Sequence, residues 1–137
     1  MKRKLCFALA MVCVLSWIFQ ITVWASDVSL FNNNTLATKT KFTISDTGEA
    51  IVTVNYEGYI DITTGATITI KLEKRSFLFF WNDIVEDVVV VDGDSYFNSF
   101  NYQLENTGTY RCTVEYVVSG TGGADDVLTF EDTKTYE

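Results

Sequence analysis

Alternation of apolar and polar residues dominates the chain after residue 26. The clearest run is Ala66 to Lys74, which reads ATITIKLEK. A period of two is typical of a β-strand that buries one face. The same alternation predicts strands over Ala50 to Tyr56 and over Tyr110 to Val118. We expect these three strands to be central in their sheets.

Four further strands are predicted from runs of β-branched and aromatic residues. They cover Leu36 to Ser45, Phe79 to Val91, Tyr96 to Leu104 and Asp126 to Thr133. Segments rich in Gly, Asn and Asp separate the strands and supply turn chemistry. Seven strands at regular spacing, with no amphipathic helix after residue 26, predict one all-β domain folded as an antiparallel β-sandwich.

One stretch of the predicted sandwich leaves alternatives open. Ser76 to Val91 reads SFLFFWNDIVEDVVVV. It is compatible with one bent strand that breaks near Asn82-Asp83, with two short strands, or with a strand and a turn of helix.

The first 25 residues have the pattern of a targeting segment. Lys2, Arg3 and Lys4 precede an uncharged apolar run, and Val23-Trp24-Ala25 suits cleavage before Ser26. We therefore expect a signal peptide over residues 1–25 and a secreted, extracellular domain over residues 26–137. The alternative is an uncleaved, single-pass membrane anchor, because residues 5–25 are uncharged and long enough to span a bilayer.

Charge narrows the classes of partner. Residues 26–137 contain seven basic and eighteen acidic residues, a net charge of −11. Nucleic acids and anionic membrane surfaces both attract cationic patches, so we expect no nucleic-acid partner. Membrane association is expected only if residues 1–25 are not cleaved. We also expect a monomer.

The absence of histidine restricts the possible chemistry. The chain contains none, and histidine is both the usual proton carrier near neutral pH and the commonest zinc ligand. We expect no catalytic residue, no metal and no cofactor, and hence a protein that is not an enzyme. A carboxylate-dependent hydrolase is the alternative, although adjacent acids such as Glu86 and Asp87 would point to opposite faces of a strand.

Asp92-Gly93-Asp94-Ser95 begins like a calcium-binding loop. Tyr96 and Phe97 then occupy the fifth and sixth positions, where a ligand and a glycine are required. We interpret this segment as a solvated turn. A composite calcium site formed with Asp125-Asp126 is the alternative.

Three segments suggest a family. They read TGATITIKLEK, GTYRCTVEYVVSGTGG and TKTY, and together they resemble uncharacterised small secreted immunoglobulin-like (Ig-like) β-sandwich proteins of Gram-positive bacteria. The resemblance covers most of residues 45–136 and implies a signal peptide followed by one Ig-like sandwich of about seven strands. Trp81 and Gly108 to Arg111 match the positions of that group's tryptophan and of its Gly-Thr-Tyr-Arg motif at the start of the sixth strand.

Tyr110 and Cys112 are the candidate structural residues. Tyr110 lies two residues before a cysteine, as in a tyrosine corner, and we expect its hydroxyl to bond to the backbone near Asn106 to Gly108. Cys112 has no cysteine partner on the second strand, whose apolar row is Val52, Val54 and Tyr56. We interpret Cys112 as a core residue that packs as a small hydrophobe; an intermolecular disulfide is the alternative.

Two regions are candidate contact surfaces for a protein or a glycan. Ser119 to Asp126 corresponds to the F–G loop of an Ig-like sandwich, a connection that often carries recognition. Phe77, Phe79, Phe80 and Trp81 are too close together for one strand face to bury them all. The candidate binding residues are therefore Phe80, Trp81, Gly120, Gly122, Gly123 and Asp125. The alternatives are a plain hairpin turn and an aromatic flap over the core.

Overall fold

A computed structural model describes residues 32–137 of the chain. These residues form seven strands: β1 (Thr35–Ile44), β2 (Glu49–Gly58), β3 (Thr63–Phe77), β4 (Phe80–Asp92), β5 (Ser95–Gln103), β6 (Gly108–Gly120) and β7 (Asp126–Tyr136). Each predicted strand is present, so the prediction of an all-β domain is confirmed. No helix in this part of the chain is long and apolar enough to cross a membrane. The predicted signal segment and its cleavage site lie outside the described residues.

The strands form two antiparallel sheets. One has the order β1-β2-β5 and the other the order β4-β3-β6-β7. Strands β2, β3 and β6 are interior in their sheets, as their clean alternation predicts. A strand with a neighbour on each side is desolvated along its backbone, and in this domain one face of each interior strand is buried as well.

The core lies between the two sheets and consists of inward-facing rows. Its fifteen buried apolar residues are Phe42, Ala50, Val52, Val54, Tyr56, Ala66, Ile68, Ile70, Leu72, Leu104, Tyr110, Cys112, Val114, Tyr116 and Val118. Most come from β2, β3 and β6. Because successive side chains of a strand point to opposite faces, a shift of one residue in register would expose a whole row. The core therefore fixes the pairing of the sheets.

Tyr110 forms the predicted tyrosine corner. Its ring is buried, and its hydroxyl donates a hydrogen bond to the carbonyl oxygen of Asn106 at 2.5 Å. The bond ties the start of β6 to the β5–β6 connection. The predicted partner region, Asn106 to Gly108, is confirmed.

Cys112 is a free, fully buried thiol, so the predicted core position is also confirmed. Burial, and to a lesser degree the charge of Asp132, raise the pKa of the thiol to about 12. A thiol that is neutral and enclosed is a poor nucleophile. Val52 and Val54 fill the inward row of β2, so packing rather than a disulfide joins that row to Cys112.

The stretch from Ser76 to Val91 contains a hairpin and no helical turn. Leu78 and Phe79 form a two-residue turn between β3 and β4. The break expected near Asn82-Asp83 is a β-bulge, since Leu72 pairs with Val85 while Glu73 pairs with Asp83, which leaves Ile84 as the extra residue. A bulge increases the local twist of the strand without ending it.

Strand directions define two ends of the domain. At the proximal end β1 and β3 begin, and the β6–β7 connection crosses over. At the distal end β3 passes into β4, and β6 begins. The two connections that the sequence singles out therefore lie at opposite ends.

Replacing Tyr110 with Phe should lower the free energy of unfolding by about 1 kcal/mol, the typical net value of one hydrogen bond. Chemical unfolding would measure the change. Tyr96→Phe is the matched control, because the Tyr96 hydroxyl accepts only an exposed hydrogen bond from Asn98. Equal losses in the two variants would contradict a special role for the tyrosine corner.

Cys112→Val should fold and be exported, because valine fits the same apolar row. In the native protein the thiol should react slowly with a thiol reagent, and the rate should rise as denaturant opens the core. A Ser99→Cys variant supplies an exposed thiol as the fast reference. If Cys112 reacted as fast as that reference, the thiol would not be enclosed.

Candidate functional site

The turn between β3 and β4 exposes four consecutive large apolar side chains. Phe77 is 67% exposed, Leu78 61%, Phe79 83% and Phe80 67%. We call residues 77–80 the tip. Sequence reasoning left two interpretations of these aromatics open, an exposed patch and a flap over the core, and favoured the flap. The flap is wrong, because each of these side chains is more than half exposed.

The tip projects beyond the sandwich. Pairing of β3 with β6 ends at Lys74 and Tyr110, whereas pairing of β3 with β4 continues to Phe77 and Phe80. The last residues of β3 therefore have only one strand neighbour. The tip is the end of a two-stranded arm that solvent reaches from several sides.

The turn chemistry of the tip is unusual. Two-residue hairpin turns favour Asn-Gly or another glycine-containing pair, because positive φ angles are needed there. Here Leu78 adopts φ +45°, a region that bulky residues rarely occupy. Local preference and hydrophobic burial both oppose Leu-Phe at this turn. Such conflicts occur most often at functional sites.

Trp81 lies at the base of the tip and is half-buried. Its ring is 4.5 Å from the Arg111 guanidinium carbon and 5.4 Å from that of Arg75. Both distances are within the cation–π range. The predicted binding residue Trp81 is thus held by its neighbours, while the predicted binding residue Phe80 is open to solvent.

An ion-pair ladder supports this base on the outer face of the four-stranded sheet. Nε and Nη2 of Arg111 lie 2.8 and 2.7 Å from Oε2 of the buried Glu73. Lys71 Nζ lies 2.9 Å from Asp83 Oδ1 and 3.8 Å from Glu73 Oε1. Glu73 therefore orients Arg111, and Arg111 in turn packs on Trp81.

Basic residues are more frequent at the distal end than at the proximal end. Of the seven basic residues after residue 26, four lie at the distal end: Lys74, Arg75, Arg111 and Lys134. Arg111 and Lys134 have acidic partners in Glu73 and Asp132. Lys74 and Arg75, which adjoin the tip, form no ion pair within residues 32–137.

The β6–β7 loop, predicted as the F–G loop, packs on the chain itself at the proximal end. A Cβ atom on Gly120 would collide with the carbonyl oxygen of Ile62, and one on Gly122 with that of Asn33. Gly123 has φ +154° and lies against the Asn33 side chain. Glycine is therefore required at 120 and 122 by close backbone contacts, and at 123 by a positive φ angle and contact with a side chain. Asp125 is exposed beside them.

A buried hydrogen-bond network around the side chains of Asp126 and Asn34, which we call the clamp, explains those contacts. Both carboxylate oxygens of Asp126 accept backbone N–H bonds, from Asn33 at 2.8 Å, Asn34 at 2.7 Å and Thr35 at 2.8 Å. The fully buried side chain of Asn34 donates to the carbonyl oxygens of Ala124 and Val118 and accepts from the Gly122 amide. The loop therefore fixes the start of β1 against β7.

Sequence reasoning missed this clamp. It treated the Asn-rich segment before the first strand only as turn chemistry, and it chose Asp125, rather than Asp126, as a candidate binding residue. The available signal was the position of Asp126 in the inward row of its strand, opposite Val118. An acid in an apolar row is normally paired.

Two half-buried carboxylates, those of Asp87 and Asp132, also have partners. Asp87 accepts a 2.8 Å hydrogen bond from the Tyr102 hydroxyl, and burial followed by that bond raises the pKa of Tyr102 well above its ordinary value. Asp132 pairs with Lys134 at 3.0 Å. Within residues 32–137 no three His, Cys, Asp or Glu side chains group as metal ligands.

Two further surface features lie away from the tip. Phe97 is 70% exposed on the outer face of the three-stranded sheet, beside Lys39, Lys41 and Asn55. A shallow cleft of about 570 Å³ at the proximal end is lined mainly by Leu36, Tyr59, Ile60 and Ile62. Neither presents consecutive apolar residues on a projecting arm.

Asp126→Asn should lower the free energy of unfolding by about 2 to 4 kcal/mol at pH 7, because hydrogen bonds to a charged group are each worth about 1.5 to 3 kcal/mol and only some are lost. Burial alone would raise the pKa of Asp126, but the bonds from Asn34, Asn33 and Thr35 lower it below 3.8. Chemical unfolding across a pH series would measure the difference between wild type and variant.

The sign of the pH dependence follows from that lowered pKa. The stabilisation is complete above the unfolded pKa of 3.8 and is lost as the pH falls through the lower folded value. The difference between wild type and Asp126→Asn should therefore shrink below about pH 4. Asp125→Asn, the exposed neighbour, should change stability little at any pH. A pH-independent difference would argue against the ionised clamp.

Comparison with known proteins adds no relative: no family model, no curated protein and no solved structure matches the chain.

Proposed function

We propose that residues 26–137 form a secreted or cell-surface Ig-like domain that acts by binding rather than by catalysis, with the tip as its contact surface. An uncleaved N-terminal segment would give a membrane-anchored form of the same domain. The tip and its base are made of Phe77, Leu78, Phe79, Phe80 and Trp81.

One observation carries this proposal: four large apolar side chains in a row are more than half exposed on a projecting arm. Complete burial of one such side chain is worth about 1.5 to 3 kcal/mol. A partner that covered all four would gain several kcal/mol before paying the cost of association. Isolated exposed apolar residues are common, but a contiguous exposed group usually marks an interaction site.

The chemistry of the tip favours an apolar partner surface. Sugar rings stack on one open aromatic face, and neighbouring polar groups bind their hydroxyls. The tip offers four apolar side chains in sequence, and the polar residues lie behind them on the arm. The tip therefore suits an apolar partner surface better than a glycan, which is one of the two partner classes expected from sequence.

The Ig-like assignment is supported by strand order and by the tyrosine corner. Strands β2 and β5 pair in one sheet and β3 and β6 in the other, as the second and fifth and the third and sixth strands do in that fold. The fourth strand differs from the constant-domain arrangement, because β4 pairs with β3 instead of β5. Resemblance to small secreted Ig-like proteins of Gram-positive bacteria agrees with export.

A non-catalytic role is supported by the contacts that four of the acidic residues make. Glu73, Asp87, Asp126 and Asp132 each engage a structural partner. A glycoside hydrolase needs two carboxyl groups that flank the scissile bond and are able to exchange protons. These four carboxylates are already committed to the fold.

Replacing Leu78 with Asn together with Phe79→Gly should abolish binding and keep the fold, because Asn-Gly suits a two-residue hairpin turn. The assay measures binding of the exported protein to cell envelopes of the producing organism. We expect the double variant to bind at least about tenfold more weakly, given the apolar area it removes.

Phe97→Ser is the matched control for that assay. It removes a phenyl ring that is 70% exposed on the opposite sheet and should leave envelope binding unchanged. Undiminished binding by a folded double variant would refute the tip as the contact surface. Equal losses in the double variant and the control would point to unspecific hydrophobic adhesion.

A further inference from the structure

We infer that the partner of the tip is the surface of a phospholipid bilayer that contains anionic headgroups. The inference rests on the proposed function and names the partner of the same contact surface. It depends on the shape of the tip, on the order of residue types along the arm and on the distribution of charge.

The shape of the tip suits a fluid medium. Phe77 and Phe80 pair across the hairpin, while Leu78 and Phe79 form the turn itself, so apolar side chains surround the end of the arm. A protein would need a deep socket to cover such a convex group from every side. Acyl chains flow around an inserted group and cover it without a preformed pocket.

Residue types along the arm follow the layers of a bilayer surface. The apolar tip comes first, Trp81 and Arg75 follow as a cross-strand pair, and Lys74 lies one residue further from the end. From Phe77, the last residue before the turn, to Lys74 is about 10 Å at the rise of a β-strand. Interfacial segments bury their apolar faces about 5 to 10 Å deep, and Trp is enriched at the membrane–water interface.

The local charge near the tip differs from the charge of the whole domain. A net charge of −11 predicts repulsion from anionic lipids, but exposed charges beyond about 8 Å are largely screened at physiological salt. The charged groups nearest the tip are the cations Lys74 and Arg75, which lack acidic partners in the described chain. The nearest acids, Glu73 and Asp83, lie one position further along the arm and are paired with Arg111 and Lys71. Basic residues near an anionic membrane surface each strengthen binding.

Trp81 gives the arm a defined orientation at that surface. Its ring is held by Arg75 and Arg111, and Arg111 is held by the buried Glu73. The indole therefore keeps its position relative to the sheet. In the bound state we expect it to lie at headgroup level, with the phenyl rings of the tip below it and the cations level with phosphate.

The chain runs into β1 at the proximal end, away from the tip. The proposed contact therefore does not require residues 1–25 to remain attached. It departs from the sequence-based expectation, which allowed membrane association only through an uncleaved segment.

Co-sedimentation with lipid vesicles tests the inference. The exported protein is mixed with vesicles of phosphatidylcholine containing about one-quarter phosphatidylglycerol, an anionic surface of the kind that basic segments bind. Wild type should sediment with these vesicles. The variant Leu78→Asn with Phe79→Gly should bind at least about tenfold more weakly, because it loses two inserted side chains.

Charge variants test the contribution of the two cations that adjoin the tip. Lys74→Gln with Arg75→Gln should bind about tenfold more weakly to the anionic vesicles and should differ little from wild type on pure phosphatidylcholine. Lys39→Gln with Lys41→Gln removes the same charge from the other sheet and should match wild type. Added salt should weaken wild-type binding more than binding of the Lys74 and Arg75 variant.

All variants are encoded with the same residues 1–25 as the wild type and are exported in the same way, so any contribution of that segment is the same in each. Phe97→Ser again controls for unspecific adhesion. Equal sedimentation of wild type and a folded tip variant would overturn the inference, and so would an equal loss in Phe97→Ser. If vesicle binding fails while the tip variant still loses envelope binding, the partner is a protein or glycan and the proposed function stands. If neither assay responds to the tip variant, both proposals fail.

Discussion

Packing between the two sheets is the constraint on which the rest of the domain depends. The single cysteine in the described residues is free, so no covalent bond joins the sheets there. Inward side chains of β2, β3 and β6 supply most of the core. Loss of a native disulfide typically costs about 2 to 5 kcal/mol, which corresponds to the burial of two or three large apolar side chains. Tyr56, Tyr110 and Tyr116 contribute burial of that size, and the Tyr110 and Tyr116 hydroxyls are satisfied by hydrogen bonds.

The two ends of the sandwich differ in what they bury and what they expose. At the proximal end, a carboxylate and an amide close the junction between β1 and the β6–β7 loop, and glycines allow the backbones to touch. At the distal end, a hairpin continues past its neighbouring strand and exposes apolar side chains. At the proximal end the backbone is buried and hydrogen bonds satisfy its polar groups. At the distal end apolar side chains stay exposed and the turn has an unfavourable backbone conformation. Neither feature helps folding, which is why the distal end carries the functional proposal.

Charge acts locally in this domain. The negative net charge is a property of the whole domain and says little about any one site. The base of the arm is fixed by the ion-pair ladder of Asp83, Lys71, Glu73 and Arg111. Buried ion pairs add little net stability when their desolvation is counted. Their effect here is positional: Glu73 holds Arg111, and Arg111 holds Trp81. The cations next to the tip are left without acidic partners in residues 32–137. Two unpaired positive charges therefore lie beside the tip in a domain whose net charge is negative.

Period-two alternation predicted the three interior strands and the burial of Cys112. Runs of β-branched and aromatic residues predicted the other four strands, and the spacing of Tyr110 and Cys112 predicted the tyrosine corner. Each follows from local rules, because side-chain direction and turn chemistry depend on nearby residues. Only the tertiary structure showed what Asp126 binds, since its bonds join residues about ninety positions apart. It also showed that Gly120 and Gly122 lie against the backbone of Ile62 and Asn33 and that Gly123 lies against the Asn33 side chain. It placed Trp81 and the β6–β7 loop at opposite ends. Those outcomes depend on which strands become neighbours and in which direction they run, and local sequence carries neither.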